Sequence, residues 1–173
     1  MLTKEDGSIV TDANTFALEA DVTAYIALYG WSFTGSTQAR EQAILRAMLF
    51  IESLELKLQG ERVSTAQELS WPREYVYNLK KTAYLSDATV PDGVVNAVCE
   101  AAVIELATPG TLTQTIGVND IGVKRAKRKI GPLETETEFQ HRDPLARSHY
   151  TRIIGFLKPY MKSTLSSGLL MRA

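Results

Sequence analysis

The sequence lacks the features that would support a disulfide scaffold or a membrane anchor. Its 173 residues include a single cysteine, Cys99, which excludes an internal disulfide and is typical of proteins from a reducing compartment. No run of about 18 apolar residues occurs, and the N-terminal residues form no secretory hydrophobic segment. We therefore expect a cytoplasmic, soluble protein that has no membrane partner.

The motifs of catalytic and metal chemistry are also missing. His141 and His149 are eight positions apart, too far for the i, i+4 pair of a helical metal site, and Cys99 has no CxxC companion. Neither a glycine-rich phosphate loop nor a G-x-S-x-G elbow is present. Cys99 follows a helical pattern and is more simply a buried structural thiol. We expect a protein that is not an enzyme and has no catalytic residues, no metal site and no cofactor.

A basic cluster followed by an acidic alternation is the most unusual feature that the sequence does contain. The basic positions are Lys124, Arg125, Lys127, Arg128 and Lys129, and the acidic ones, which alternate with threonine, are Glu134, Glu136 and Glu138. Alternation with period two predicts a strand, and Gly131-Pro132 between the two runs predicts a turn. We predict a polar hairpin over about 122–139 whose opposite charges pair across the strands, each pair contributing roughly 0.2–1 kcal/mol.

The hairpin also divides the charge of the chain. Residues 1–120 hold 8 Lys+Arg and 16 Asp+Glu, whereas residues 121–173 hold 11 Lys+Arg and 4 Asp+Glu, so the two parts carry −8 and +7. Such an asymmetry indicates a basic arm that contacts either nucleic acid or the acidic body of a neighbouring copy. A solvated face without a partner is the third interpretation. The net charge of −1 argues against a general nucleic-acid binder.

Apolar residues at spacings of three and four predict four helices. They cover about 18–29, about 36–58, a segment from Pro91 to just before Pro109, and a segment from Asp143-Pro144 to just before Pro159. Ser36 is expected to cap the second helix, and Pro91 to occupy the first position of the third. The predicted fold is mainly α: a bundle of about four helices with a small β-hairpin, in one helical domain of residues 1–160, and an extended, flexible C-terminal tail of residues 161–173.

The link of residues 59–90 and the C-terminal tail are the two irregular segments. Trp71, next to Pro72, is expected to be a buried structural anchor of the link. The alternative is that Trp71 and Tyr75 form a base-stacking platform. The tail ends in Leu169, Leu170, Met171 and Arg172, so it either frays or folds on a partner.

The order of these pieces resembles the head–tail connector (adaptor) proteins of long-tailed bacteriophages, part of which carry the label DnaT-like single-stranded DNA-binding protein. The resemblance covers roughly residues 5–140 and is moderately specific. Its matching pieces are Glu5-Asp6-Gly7, Glu19-Ala20-Asp21 with Tyr25, the long second helix, Leu69-Ser70-Trp71-Pro72-Arg73, Val90-Pro91 before an alanine-rich helix, and the segment from Val123-Lys124 to Lys129-Ile130-Gly131-Pro132-Leu133-Glu134.

The resemblance implies a structural protein of the virion neck that is assembled in the host cytoplasm. Its implied partners are other copies of itself in a ring of about twelve, the portal protein, the next neck or tail-completion protein, and packaged double-stranded DNA that passes without sequence-specific contact. The hairpin would then lie at the channel or between subunits, and the residues Leu169–Arg172 would dock on the portal. The alternative function is that of a DnaT-like single-stranded DNA-binding accessory protein.

Overall fold

The computed structural model describes residues 1–112, 126–130, 133–137 and 148–162, with side chains for 1–112 and 151–162. Within these ranges the chain forms four α-helices: α1 (Glu19–Ala27), α2 (Thr37–Glu52), α3 (Asp92–Ala107) and α4 (Ser148–Leu157). The short 3-10 helices Glu55–Lys57 and Lys158–Tyr160 follow α2 and α4. Strands β1 (Glu61–Arg62) and β2 (Arg73–Glu74) form one antiparallel pair, and β3 (Ala126–Ile130) and β4 (Leu133–Thr137) form another. The predicted mainly α fold with a small hairpin is confirmed.

The predicted N-cap of α2 is confirmed, but its predicted end near residue 58 is wrong: α2 ends at Glu52, and a separate 3-10 helix covers Glu55–Lys57. Ser36 Oγ accepts a hydrogen bond of 3.2 Å from the backbone N–H of Ala39, which confirms its role as the N-cap of α2. Pro91 was predicted to be the first helical residue of α3, but it occupies the N-cap and the helix begins at Asp92. Its backbone is extended, so the proline ring precedes the first turn. The predicted start of the last helix at Asp143-Pro144 lies outside the described residues.

The core is centred on α3, which packs against α1, α2 and α4. The small side chains of Ala97, Ala101 and Ala102 on α3 are fully buried, as are Ala43 and Ala47 on α2. Small residues on both helices let their backbones approach closely. The predicted apolar stripe of α2 and the short segment after it is buried along its whole length: Ala43, Ile44, Ala47, Met48, Ile51, Leu54 and Leu58.

Buried carboxylates organise two irregular segments. The side chain of Glu5, only 1% exposed, accepts hydrogen bonds from the backbone N–H groups of Gly7, Ile9 and Val10 at 2.8–3.1 Å. Glu105 accepts from Gly110 and Leu112 just after α3 and pairs with Arg46 of α2. Each carboxylate therefore satisfies backbone donors that the loop would otherwise bury without partners.

Trp71 is the buried anchor of the long link, as the sequence predicted. Its side chain is fully buried, and its ring meets Tyr160 edge-on at a centroid distance of 5.8 Å. Nearby, the buried guanidinium of Arg73 donates to the backbone carbonyls of Gln59 and Gly60 at 2.8 Å and of Ser70 at 3.1 Å. The indole and the guanidinium together fix the link against the body of the protein. We call residues 52–74 the buried seam.

The predicted polar hairpin is confirmed in the backbone of residues 126–130 and 133–137. Its register sets Lys127 opposite Glu136 and Lys129 opposite Glu134, while Arg128 faces Thr135. Two of the three basic positions on β3 are therefore matched by an acidic position on β4. Lys124, Arg125 and Glu138, which belong to the same predicted site, lie outside the described residues.

The last described residues run along the end of the buried seam. Met161 forms a β-bridge with Leu58, and the backbone N–H of Lys162 donates to the carbonyl of Lys57 at 2.8 Å. The predicted tail of residues 161–173 thus pairs with the body through its first two residues. Its proposed docking residues, Leu169, Leu170, Met171 and Arg172, are beyond the part that the structure describes. No described helix is both long and apolar enough to cross a membrane.

Candidate nucleic-acid interface

Residues 75–85, which we call the tyrosine loop, leave the buried seam directly after β2. The loop is closed by a β-bridge between Tyr77 and Tyr84 and by a backbone hydrogen bond of 2.7 Å from Leu85 to Val76. Val76 is 1% exposed, whereas Tyr75 and Tyr77 on either side of it are exposed. Tyr75 lies at a bend with a positive φ of 60°, and Tyr77 follows Val76 directly. With Val76 held in the core, both neighbouring tyrosines are left exposed to solvent.

Three exposed tyrosines of this loop form one cluster. The Tyr84 ring lies 4.6 Å from that of Tyr77 with an interplanar angle of 35°, and 5.9 Å from that of Tyr75 at 82°. The hydroxyl oxygens of Tyr77 and Tyr84 are 3.2 Å apart and share a hydrogen bond, which raises the pKa of Tyr84. Their exposed fractions are 56% for Tyr75, 41% for Tyr77 and 55% for Tyr84. The cluster is therefore a fixed aromatic surface open to solvent.

Two lysines occupy the tip of the tyrosine loop. Lys80 and Lys81 are exposed, and neither forms an ion pair with any residue whose side chain is described. The tip is ordered by Asn78, whose side chain accepts from the backbone N–H of Thr82 and donates to its hydroxyl, both at 3.0 Å. Lys81 has a positive φ of 55°, which tightens the turn. Uncompensated positive charge thus lies within a few residues of the exposed rings.

A second exposed aromatic surface lies between the end of α1 and α4. Tyr29 and Trp31 stack with their centroids 5.0 Å apart, and the guanidinium of Arg152 lies 4.1 Å from the centre of the Trp31 ring. Arg152 also pairs with Glu100 at 3.3 Å, and Tyr25 donates a hydrogen bond to the same carboxylate. The positive charge at this surface is therefore compensated within the protein. We call it the Trp31 patch.

These positions decide between the two sequence interpretations of Trp71 and Tyr75. Because Trp71 is fully buried, the hypothesis that it forms a base-stacking platform with Tyr75 is wrong. Tyr75 instead contacts Tyr84, nine residues further along the chain. The sequence analysis assigned no site role to Tyr77, Tyr84, Lys80 or Lys81. The available signal was the Tyr-x-Tyr spacing followed by a lysine pair and a third tyrosine.

The hairpin positions, possible metal ligands and Cys99 were also considered in the sequence analysis. The hairpin positions on β3 and β4 are brought together by the strand register, whereas nothing in the described structure brings them near the tyrosine loop. Among the side chains that the structure describes, no group of three or more His, Cys, Asp or Glu residues could hold a metal ion. Burial raises the pKa of Cys99 to about 12, so its thiol stays protonated at neutral pH.

Comparisons with known proteins give one match. Neither the curated proteins nor the solved structures contain a significant match to this chain. A sequence model of one protein family matches residues 1–173. The chain therefore belongs to the family described as "Putative DnaT-like ssDNA binding protein".

Proposed function

We propose that the protein binds single-stranded DNA and that the tyrosine loop is the surface that contacts the bases. Proteins that bind single strands without sequence preference combine aromatic side chains on which bases stack with positive charge that follows the phosphates. The loop supplies both within residues 75–85: three exposed rings and two lysines. The exposure of the Tyr75–Tyr77–Tyr84 cluster is the observation that carries the proposal, and the family of the chain agrees with it.

The tyrosine loop is a better candidate than the other two charged or aromatic surfaces. At the Trp31 patch, Arg152 is already paired with Glu100, so contact with a phosphate would compete with that ion pair. On the hairpin, acidic positions face two of the three basic positions of β3, which lowers its net attraction for a polyanion. Lys80 and Lys81 meet no such competition from the described side chains.

The proposal predicts that Tyr84→Ala weakens DNA binding without unfolding the protein. Stacking of a base on an aromatic ring contributes about 1–3 kcal/mol, so the dissociation constant for a fluorescent oligothymidine should rise by roughly 5- to 150-fold. Fluorescence anisotropy at one fixed salt concentration measures this change. The matched control is Tyr84→Phe, which keeps the ring and removes only the hydroxyl that contacts Tyr77.

Equal affinities of wild type and Tyr84→Ala would show that the loop is not the binding surface. An equal loss in Tyr84→Phe and Tyr84→Ala would assign the effect to the hydroxyl rather than to stacking. Tyr29→Ala, at the Trp31 patch, is the control for the second exposed aromatic surface. It should leave affinity close to that of the wild type if the tyrosine loop alone contacts the bases.

A second proposal is that the protein is a subunit of a ring-shaped head–tail connector. The division of charge between residues 1–120 and 121–173 supports it, because opposite charges on one chain favour head-to-tail contacts that close into rings. The hairpin register also supports it, since matched charges would let double-stranded DNA slide past without being gripped. In this function the portal, the next neck protein and other copies are the partners.

The connector proposal is tested by reversing the acidic strand of the hairpin. The triple substitution Glu134→Lys, Glu136→Lys and Glu138→Lys should impair ring assembly or DNA retention in particles more than it changes the helical circular dichroism of one subunit. The reason is that exposed charge pairs contribute little to the stability of a subunit. Normal assembly of the variant would remove the hairpin from the interface, and loss of the helical signal would assign it to the subunit core.

A further inference from the structure

An apolar groove runs along the outer face of α2 and ends at the link. Its volume is about 480 Å³, and its lining includes the apolar residues Leu45, Met48, Leu49 and Leu69 and the charged residues Arg46, Glu52 and Glu68. We call it the α2 groove. Leu49, in the last turn of α2, is 65% exposed. An apolar hollow of this size is typical of surfaces that receive another group.

Of the charged residues that line the α2 groove, one carboxylate is free to bind a cation. Arg46 is paired with Glu105 at 3.0 Å. Glu52 is already engaged, because it accepts hydrogen bonds from the backbone N–H and the hydroxyl of Ser70 at 3.0 and 2.8 Å. Glu68 is exposed and forms no ion pair with any side chain that the structure describes. A fitting occupant therefore has a short apolar stretch next to a cation, and an arginine is the cation that best matches a carboxylate.

The C-terminal sequence of this chain has that composition. Leu169, Leu170 and Met171 are three consecutive apolar residues, and Arg172 follows them directly. The groove belongs to the part of the chain with a charge balance of −8, and the C-terminal sequence to the part with +7. Apolar side chains would meet the leucines and Met48, and the guanidinium would meet Glu68.

The attachment point of the C-terminal segment allows it to reach beyond its own subunit. Lys162 is held at the end of the buried seam, where its backbone N–H donates to Lys57 and its ammonium to the carbonyl of Leu56. Seven further residues lead to Leu169, and an extended chain of that length spans up to roughly 25 Å. That span exceeds the radius of roughly 20 Å expected for a domain of this length, so a segment that starts at the exposed Lys162 can reach a neighbouring copy.

We propose that the α2 groove of one copy receives residues 169–172 of a second copy. Opposite charges divided between two parts of the same chain favour such a contact over one that pairs two identical surfaces, because each copy offers one groove and one C-terminus. The contact is heterologous, so it propagates from copy to copy and closes into a ring if the rotation permits. It is independent of DNA binding by the tyrosine loop.

The test is complementation between two full-length variants, measured by analytical ultracentrifugation. The groove variant carries Leu49→Asp, and the C-terminal variant carries Leu169→Ser, Leu170→Ser and Met171→Ser. We expect the wild type to associate as its concentration rises, and each variant alone to remain a monomer of 19.1 kDa. An equimolar mixture retains one intact groove and one intact C-terminus, so it should form a dimer and nothing larger.

Two further variants separate the contact from general effects on the fold. Leu56→Asp adds the same charge at a residue that is 88% exposed and does not line the groove, so it should associate like the wild type. Arg172→Glu should weaken association at least tenfold, and combining it with Glu68→Arg should restore most of the loss.

Three results would overturn the proposal. They are a wild type that stays monomeric at all concentrations, a variant mixture that stays monomeric, and unchanged association of the Leu49→Asp protein. A wild type that stays monomeric is also the result expected if the segment docks into the groove of its own chain. In that case Leu49→Asp should increase protease cleavage after residue 162 without changing the mass of the particle in solution.

Discussion

The buried seam and the tyrosine loop are adjacent in sequence, yet they use aromatic side chains in opposite ways. Trp71 is fully buried and meets Tyr160 edge-on, whereas Tyr75, four residues later, is 56% exposed. The chain changes from one role to the other within a single short strand, β2. The cations near the two rings differ as well.

In the buried seam, both arginines find their partners within the protein. Arg73 donates to three backbone carbonyls, and Glu55 receives both arms of the Arg62 guanidinium at 2.7 and 2.9 Å. In the tyrosine loop, the lysines have no carboxylate partner among the described side chains, and the hydroxyls of Tyr77 and Tyr84 pair with each other. A segment whose cations are paired internally is suited to stability, and one whose cations are free is suited to binding.

The largest effect expected from this comparison is the loss of stability in Trp71→Ala. Removing a fully buried tryptophan leaves a cavity and costs about 3–5 kcal/mol in the free energy of unfolding, measured by urea denaturation. The folded fraction should still bind oligothymidine with wild-type affinity. Tyr84→Ala, in contrast, should lower the free energy of unfolding by less than about 1 kcal/mol, because an exposed ring contributes little to the core.

Trp71→Phe is the matched control for the seam. The indole N–H of Trp71 is buried and has no described hydrogen-bond partner, so replacing it with a smaller ring removes an unsatisfied donor while keeping most of the edge contact with Tyr160. We expect a smaller loss of stability than in Trp71→Ala. If Trp71→Ala were as stable as the wild type but unable to bind DNA, the buried seam rather than the tyrosine loop would be the DNA-binding region.

A smaller effect is expected when the tip of the tyrosine loop loses its charge. The double substitution Lys80→Gln and Lys81→Gln should weaken binding of a single strand roughly tenfold, and it should reduce the slope of log affinity against log salt by about 1.4, or 0.7 for each phosphate contact. Anisotropy titrations at several salt concentrations measure both. An unchanged slope would show that these lysines do not contact phosphates, whatever the tyrosines do.

The sequence was sufficient for the parts of the fold that depend on local periodicity. The spacing of Ala43, Ala47 and Met48 identified the buried face of α2, and the alternation of Glu134 and Glu136 identified β4. The tyrosine loop was not predicted, because its cluster depends on a backbone closure that brings Tyr84 beside Tyr77. Sequence spacing alone cannot show which rings such a closure leaves exposed.

Contacts between segments that are far apart in the sequence could not be predicted either. The Trp31 patch needs Arg152, which lies 121 positions further along the chain, and nothing in either local sequence indicates the partner. The α2 groove is lined by three segments that are distant in sequence, residues 13–14, α2 and residues 68–69, so no local pattern predicts it. The role of Trp71 could be predicted because a large ring beside a proline is usually buried, but its contact with Tyr160 could not.

The smallest expected effect concerns the pH dependence of the buried seam. The hydrogen bonds from Arg62 lower the pKa of the Glu55 carboxyl below its usual value of 4.5. A carboxyl whose pKa is lower in the folded state stabilises the fold above its unfolded pKa, and this contribution is lost as the pH falls through the folded pKa. Glu55→Gln should therefore be less stable than the wild type at pH 7, and the difference should shrink below about pH 4.5.

The size of that difference should stay below about 1 kcal/mol, because the Glu55 side chain is 29% exposed and water screens the pair. Glu61→Gln is the control, since Glu61 is an exposed glutamate next to Arg62 with no ion pair among the described side chains. Its stability should follow that of the wild type at every pH. Urea denaturation at pH 7, 5 and 3 distinguishes the two variants, and DNA affinity at pH 7 should be unchanged in both. A Glu55→Gln protein with normal stability but weakened DNA binding would mean that the ion pairs of the seam position the tyrosine loop, and the two regions would then act as one unit.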